Sequence, residues 1–341
     1  MKKADTSNQI MPIVLLNALP ASGKSETRAF LRSLPAEKSR AEFKIGFPTI
    51  QLDDYPYVEM TKMIDHALMA QGQKRTFYYG EYYSYIDPTI WGALIELLNE
   101  DYFDLQQKKI VDVKSPGQWI MDRLTKVCVA NKMEDPFAKY SKAVLNKVAK
   151  AMDEHCRKFI QEKNDYVKMY TPEHTIVIEF ARGGGCGPER YPDFFPLPKP
   201  YGYNYSLPKF HPEILSKCAM LYIKVTPEQS FEKNLSRAPP IGWTGSTDIF
   251  HCVPELVMRQ EYGCDDFEWM LKQSDKPNTL KIVRDGQTFY MPVGVLDNTV
   301  DLTTGFREDE KTWKQEDKDK MYEALKVTFE GLLSSYNAQH K

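Results

Sequence analysis

Three consecutive residues, Gly23, Lys24 and Ser25, have the types and spacing that bind a phosphate group. They stand between an apolar run at residues 13–19 and a stretch with helical spacing at residues 24–34. The first turn of a helix has backbone N–H groups without partners in the helix, and a partial positive charge, so it attracts anions. A lysine adds an ammonium for the β- and γ-phosphates, and a serine hydroxyl adds a ligand for Mg²⁺. The alternative is a solvated loop in which Lys24 faces water.

The segment departs from the phosphate-binding pattern G-x-x-x-x-G-K-[ST] at its first position. Ala18 stands where the pattern has glycine, while Pro20 and Gly23 suit a tight turn. If the first position requires a positive φ or a close backbone approach, alanine there costs about 1 kcal/mol.

Polar side chains also follow the other predicted strands. Asp53 and Asp54 follow residues 47–52, Glu179 and Arg182 lie at the end of residues 174–180, and Asp297 and Asn298 follow residues 293–296. Ligands of parallel α/β sheets bind beyond the carboxyl ends of the strands. The sequence therefore predicts that these groups meet at one site. The alternative for Asp53 and Asp54 is a capping pair for the next helix, which Pro56 favours.

The elements that must position these residues alternate along the chain. The predicted buried strands are residues 13–19, 47–52, 174–180, 220–225 and 293–296, and Asp285-Gly286 predicts a hairpin. Helical segments lie between the strands, which indicates an α/β fold with a doubly wound parallel sheet in three α/β/α layers.

A long segment between the second and third strands, residues 57–173, has helical spacing almost throughout. It predicts an insert that acts as a lid or acceptor-binding subdomain. Residues 1–56 and 174–341 then form the core, with a second lid at residues 238–265.

Composition excludes several classes of protein. The chain has 341 residues, 42% of them hydrophobic, and a net charge of −2. A protein that coats nucleic acid would need a basic excess, and no apolar run approaches the ~18 residues of a membrane span. The six cysteines show no Cys-x-x-Cys pair or regular spacing, which favours reduced thiols. The apolar stretch near the amino end contains Pro12 and Asn17, and Asp5 precedes it, which argues against a signal peptide. We therefore expect a cytoplasmic protein.

Three stretches resemble P-loop kinases of small molecules. Residues 17–30, NALPASGKSETRAF, resemble their phosphate-binding loop, and residues 51–57, QLDDYPY, resemble the strand-end acidic pair of uridine-kinase-like and phosphoribulokinase-like enzymes. Residues 220–238, MLYIKVTPEQSFEKNLSRA, resemble the strand, turn and helix that lead to the lid arginine of nucleoside and nucleotide kinases. Residues 57–170 match no family segment.

The resemblance implies ATP and Mg²⁺ as cofactors and assigns roles by position. Catalytic roles fall to Lys24, Asp53 as general base, Arg182 and Arg237. Nucleotide contacts fall to Pro20, Ala21, Ser22, Gly23, Lys24, Ser25, Glu26, Arg237 and Asn298. Ser25 and, through water, Glu179 would hold Mg²⁺, and Asp53, Asp54, Tyr55, Arg182 and Arg259 would contact the acceptor. A strand-end Glu179 paired with a basic residue, and Arg259 in a surface ion pair, are the alternatives.

Tyrosines form a second candidate feature. Tyr78, Tyr79, Tyr82, Tyr83 and Tyr85, together with Tyr191, Tyr201, Tyr203 and Tyr205, either line an acceptor pocket or pack the seam between insert and core.

The predicted function is an ATP- and Mg²⁺-dependent kinase that transfers the γ-phosphate to a hydroxyl or phosphate of a small molecule. Three alternatives stay open: a P-loop NTPase that drives a partner, a polynucleotide end kinase, and a nucleotide-binding regulator without catalysis. The net charge weighs against a nucleic-acid partner. The acceptor, the choice between ATP and GTP and the oligomeric state stay undetermined.

Overall fold

The computed structural model describes residues 10–81, 83–185, 195–237 and 252–339. Its strands are β1 (Ile13–Asn17), β2 (Ile50–Asp53), β3 (Ile176–Phe180), β4 (Cys218–Lys224), β5 (Thr279–Arg284) and β6 (Gln287–Asp297). Its α-helices are α1 (Lys24–Ser33), α2 (Ala36–Lys38), α3 (Tyr55–Met69), α4 (Ile90–Gln106), α5 (Pro116–Ala130), α6 (Lys142–Met169), α7 (Gly202–Ser206), α8 (Pro212–Lys217), α9 (Pro227–Leu235), α10 (Glu255–Glu261), α11 (Phe267–Gln273) and α12 (Gln315–Gln339).

The six strands form one mostly parallel sheet in the order β2-β3-β1-β4-β6-β5. Every neighbouring pair is parallel except β5 and β6. β1 and β3 are buried along their whole length, as their continuous apolar sequences require in a sheet covered on both faces. The predicted α/β class with a largely parallel sheet is confirmed.

The far edge of the sheet is an antiparallel hairpin. Asp285 and Gly286 join β5 to β6 with φ values of 49° and 78°, as a type I′ turn requires. The hairpin prediction is confirmed. The predicted strand at residues 293–296 was too short, because it is the end of one eleven-residue strand, β6, that continues from the hairpin.

Helices cover both faces of the sheet, which is compatible with three layers. Alternate residues of β1 point to opposite faces. Val14 and Leu16 pack in one core with residues of α1 and α12, and Ile13 and Leu15 pack in a second core with residues of α4, α7, α8 and α11. Many of the predicted site residues lie at or just after the carboxyl ends of β1, β2 and β3.

Helices α3, α4, α5 and α6 lie between β2 and β3 along the chain and have a hydrophobic core of their own. They also share the core of the sheet, because Ile95, Leu98 and Val167 pack against its strands. The helix predicted over residues 136–160 instead spans 142–169. Its N-cap Ser141 accepts the Val144 N–H at 3.4 Å, and its extension carries Lys163, buried in ion pairs with two aspartates of α4.

Two further findings bear on the sequence-based expectations. Cys264 is part of a disulfide, so the expectation that all six cysteines are reduced thiols is wrong for this residue. Cysteine usage therefore does not support a reducing compartment. Across the described parts of the chain, no helix has the length and apolar content needed to cross a membrane.

Candidate active site

The β1–α1 loop, residues 18–23, has two residues in the left-handed region. Gly23, the N-cap of α1, has φ +99°, and Ala21 has φ +56°. Ala18 is not among the described residues with positive φ, so the cost expected for alanine at that position does not arise. The alanine with a positive φ is Ala21, three residues after Ala18.

Three side chains hold this loop from behind. Tyr203 Oη donates to the Ala18 carbonyl at 3.3 Å, Ser230 Oγ to that of Pro20 at 2.7 Å and Asn298 Nδ2 to that of Ser22 at 2.8 Å. In a trans peptide the next N–H points opposite to the carbonyl. The N–H groups that follow Pro20 and Ser22 therefore point away from Ser230 and Asn298. These bonds fix the loop so that alternate N–H groups lie on the side opposite to Ser230 and Asn298.

Substituting Gly23 with alanine is expected to destabilise the fold by about 1–3 kcal/mol. A Cβ at Gly23 would lie 2.5 Å from Thr303 Oγ1, and its φ of +99° disfavours any side chain. Thr303 accepts a hydrogen bond from Asn298, so its displacement would also disturb the loop. Urea unfolding would measure the loss.

Gly72→Ala is the matched control, because Gly72 also has a positive φ, +69°, but no atom within 4 Å of the added Cβ. It isolates the backbone cost, about 1 kcal/mol. Equal losses in both variants would contradict the packing role of Gly23.

A cleft of about 750 Å³ opens in front of this loop. Most of the predicted site residues line it: Pro20, Ala21, Ser22, Gly23, Lys24, Ser25, Glu26, Asp53, Asp54, Tyr55, Glu179 and Arg237. The structure thus brings the loop, the ends of β2 and β3 and the end of α9 to one cavity. Its size is typical of sites for small molecules and cofactors.

Asp53 ends β2 directly beside Glu179 of β3. Its Oδ1 accepts the Tyr55 N–H at 2.8 Å, so it does help to start α3, as the capping alternative proposed. Burial, followed by the negative charges of Glu179 and Asp54, raises the pKa of Asp53 to about 8. Lys24 opposes that rise. A carboxyl with a pKa near 8 is suited to accept a proton near neutral pH.

The Asp54 side chain forms an ion pair with Arg182 and makes no capping hydrogen bond to α3. Arg182 Nη1 lies 2.6 Å from Asp54 Oδ2, and Nη2 donates to the Trp91 carbonyl at 2.9 Å. Burial raises the pKa of Asp54, and the guanidinium opposes the rise. The side chain of Arg182 is only 2% exposed and does not line the cleft. The structure therefore does not place Arg182 where it could contact an acceptor, the role expected from the sequence. Its buried ion pair fixes the carboxylate of Asp54.

Glu179 forms an ion pair with Arg28, at 2.8 Å from Nη1 to Oε2. The same Nη1 donates to Gln51 Oε1 at 3.2 Å. This is the alternative of a strand-end glutamate paired with a basic residue. Glu179 nevertheless lines the cleft beside Asp53.

Glu26 bridges two arginines across the cleft. Its Oε1 lies 3.1 Å from Arg237 Nη2 and 3.5 Å from Arg307 Nε, and its buried Oε2 has no hydrogen-bond partner in the described chain. Both arginines line the cleft and are about one-third exposed or less, at 27% and 33%. Two guanidinium groups thus lie beside the start of α1, where an anion would meet them.

Two predicted contacts lie away from the cleft. Arg259 is 62% exposed and pairs with Glu255 one turn earlier on α10, as its surface alternative proposed. Asn298 is fully buried behind the β1–α1 loop, where it bonds Ser22, Leu302 and Thr303. It therefore supports the loop instead of contacting a base.

Only some of the tyrosines predicted for the acceptor pocket line the cleft. Tyr78, Tyr83 and Tyr85 line the cleft, whereas Tyr79 is largely exposed and Tyr203 is buried in the sheet core. Tyr201 and Tyr205 do not line it either. Tyr82, Tyr191 and residues 238–251 of the predicted lid lie outside the described residues.

Mg²⁺ would meet hard oxygen ligands in this cleft. Within the described ranges, no group of three His, Cys, Asp or Glu side chains has the arrangement of a metal site. The Ser25 hydroxyl, which lines the cleft, is an oxygen ligand of the kind that Mg²⁺ binds together with water. The negative charges of Glu179 and Asp54, which add to burial in raising the pKa of Asp53, are compatible with a cation there.

Sequence reasoning missed Arg28, Arg307, Trp91 and Glu261, all of which line the cleft. Arg28 had a detectable signal, since it lies four residues after Lys24 and hence on the same face of α1. The others come from distant elements, and no local pattern marks them.

Comparison with protein-family models, curated proteins and solved structures finds no match to this chain.

Proposed function

We propose that this protein is a phosphotransferase of the P-loop kinase type that uses ATP and Mg²⁺ to phosphorylate a small molecule. One observation carries the proposal: the β1–α1 loop, with Lys24 and Ser25 after it, opens onto the same cleft as Asp53. Phosphate binding and a base for the acceptor are the two needs of phosphoryl transfer.

The loop would bind the phosphates of ATP. Its N–H groups on the side away from Ser230 and Asn298, and those of the first turn of α1, are donors for phosphate oxygens. The Lys24 ammonium makes no hydrogen bond or ion pair within the described residues, which leaves it for a phosphate. Arg237 and Arg307 would exchange Glu26 for phosphate oxygens.

Asp53 would act as the general base. It takes the proton of the acceptor hydroxyl as the oxygen attacks the γ-phosphorus, and ADP leaves with the electrons of the broken P–O bond. Ser25, with water held by Glu179, would hold Mg²⁺, which when bound neutralises charge on the phosphates. Asp54, fixed by Arg182, would orient the acceptor.

Lys24→Ala is expected to lower kcat/KM for ATP by about 10²–10³-fold, because charge that develops on the transferred group loses a fixed cation. An acceptor would first be found by thermal shift, screening nucleosides, sugars and their phosphates with a non-hydrolysable ATP analogue. Lys142→Ala is the control, since Lys142 also begins a helix, α6, but lies exposed outside the cleft.

Two results would contradict the proposal. Full transfer activity in Lys24→Ala would remove the phosphate-binding role of the loop. ATP turnover that proceeds at enzymatic rates without any acceptor would instead favour an NTPase.

A further inference from the structure

One end of the cleft has aromatic walls. Tyr78 and Tyr85 stack with ring centroids 4.3 Å apart, and Trp91 meets Tyr85 edge-on at 5.1 Å. The hydroxyls of both tyrosines are bonded to Thr61 Oγ1, at 2.9 and 3.1 Å. Those hydroxyls are bonded inside the helical insert, so the tyrosines line the cleft with their rings, of which only a small part is exposed (5% and 4% for the two residues). Such surfaces favour planar or apolar groups.

Glu261 lies at the same end with one oxygen unsatisfied. Its residue exposure is 2%, and it lines the cleft from the end of α10. Oε2 accepts the Trp91 indole N–H, whereas Oε1 has no hydrogen-bond partner among the described residues. A buried acceptor without a partner costs about 1–3 kcal/mol. A ligand that donates an N–H or O–H to Oε1 would remove this cost.

Burial raises the pKa of Glu261, and Trp91, Ser84 and the Tyr85 N–H oppose the rise. Ser84 donates instead to Gln260, at 2.8 Å. Neither Ser84 nor Tyr85 satisfies Oε1 with hydrogen-bond geometry. The buried oxygen without a partner therefore belongs to a residue that lines the cleft.

The charges at this end disfavour a phosphorylated ligand. Arginine forks and lysine ammonium groups are the side chains that commonly bind phosphate esters in proteins. Arg182 is committed to Asp54 and the Trp91 carbonyl, and Arg259 is on the surface. Among the described residues that line the cleft, Lys62 is the basic side chain of α3, and burial lowers its pKa.

We propose that the Tyr78–Tyr85–Trp91–Glu261 end of the cleft binds an uncharged or cationic, hydroxyl-bearing acceptor and excludes acceptors that already carry phosphate. Glu261 Oε1 accepts an N–H or O–H of that acceptor, and the stacked rings contact its planar or apolar face. The inference rests on the proposed kinase function and narrows its acceptor class. Nucleosides and amino sugars have this chemistry, whereas nucleotides and sugar phosphates do not.

Matched pairs of probes test the inference by calorimetry with a non-hydrolysable ATP analogue and Mg²⁺. The pairs are adenosine, cytidine, uridine and guanosine with their 5′-monophosphates, and glucosamine with glucosamine 6-phosphate. We expect at least one unphosphorylated member to bind at least ten times more tightly than its phosphate ester. We expect Glu261→Gln to weaken that binding at least tenfold, because the amide turns an N–H₂ donor toward the ligand once its oxygen accepts from Trp91.

Glu255→Gln is the control, since Glu255 is on the same helix but pairs with Arg259 on the surface. Binding of the ATP analogue to Glu261→Gln shows that the variant is folded. The inference is overturned if no unphosphorylated probe binds, if the esters bind as tightly, or if Glu261→Gln keeps full affinity. Failure of the wild-type protein to bind the ATP analogue would instead refute the proposed function.

Discussion

Asp53→Asn is expected to lower kcat by about 10²–10⁴-fold, the contribution of a positioned general base. Asparagine has the same shape and its oxygen can still accept the Tyr55 N–H, so α3 should start as before. The variant removes only the capacity to take a proton. Steady-state kinetics with the acceptor found by screening would measure the loss.

In Asp53→Asn, the rise of kcat/KM for ATP with pH should disappear. The base acts only when deprotonated, and the pKa of Asp53 is raised to about 8. Wild-type kcat/KM for ATP, which reports the free enzyme, should therefore rise with pH and level off above pH 8.

Asp285→Asn is the control for Asp53→Asn, because Asp285 also follows a strand but lies in the hairpin turn at the far edge of the sheet. Asparagine suits the left-handed conformation of that turn. A loss of less than tenfold in Asp53→Asn, or a limb that persists in it, would refute the role of Asp53 as a base.

Arg182→Met is expected to destabilise the fold by about 3–5 kcal/mol, because it leaves the buried carboxylate of Asp54 without its cation. The pair is almost fully enclosed, with side chains 2% and 7% exposed. Urea unfolding would measure the change, and the double variant Arg182→Met/Asp54→Asn should recover part of it by removing the unpaired charge.

Arg259→Met is the matched control for Arg182→Met. Its ion pair with Glu255 is more than half exposed, and exposed pairs contribute about 0–1 kcal/mol. Equal losses in the two arginine variants would show that the Asp54 pair is not a buried structural contact.

Both arginines were predicted to contact the acceptor, and Arg182 was also given a catalytic role, but their surroundings in the structure differ. Arg182 follows a buried strand, β3, and its side chain pairs with Asp54. Its guanidinium also lies over the Trp91 ring in a cation–π contact. Arg259 lies on a short exposed helix, where a glutamate one turn earlier is its nearest partner. The i, i+4 spacing of Glu255 and Arg259 is a local pattern that predicts their ion pair. No local pattern predicts the pairing of Arg182 with Asp54, which is distant in the sequence.

Ala21 and Ala18 show a similar limit. The sequence pattern assigned a cost to alanine at its first position, Ala18, if that position requires a positive φ or a close backbone approach. In the structure the alanine with a positive φ is Ala21. The carbonyls of Ala18, Pro20 and Ser22 accept hydrogen bonds from α7, α9 and the loop after β6, which are distant in the sequence.

Sequence alone determined the features that depend on neighbours along the chain. Continuous apolar runs gave buried strands, Asp285-Gly286 gave the hairpin, and Gly23-Lys24 gave the loop that opens α1. These follow from local backbone sterics and hydrophobic period. Only the tertiary structure decided which polar groups pair, because Arg28 with Glu179, Glu26 with Arg307 and Trp91 with Glu261 are joined across 151, 281 and 170 residues. Burial and long-range charge, which set the pKa of Asp53 and free the oxygen of Glu261, arise only when such distant segments pack together.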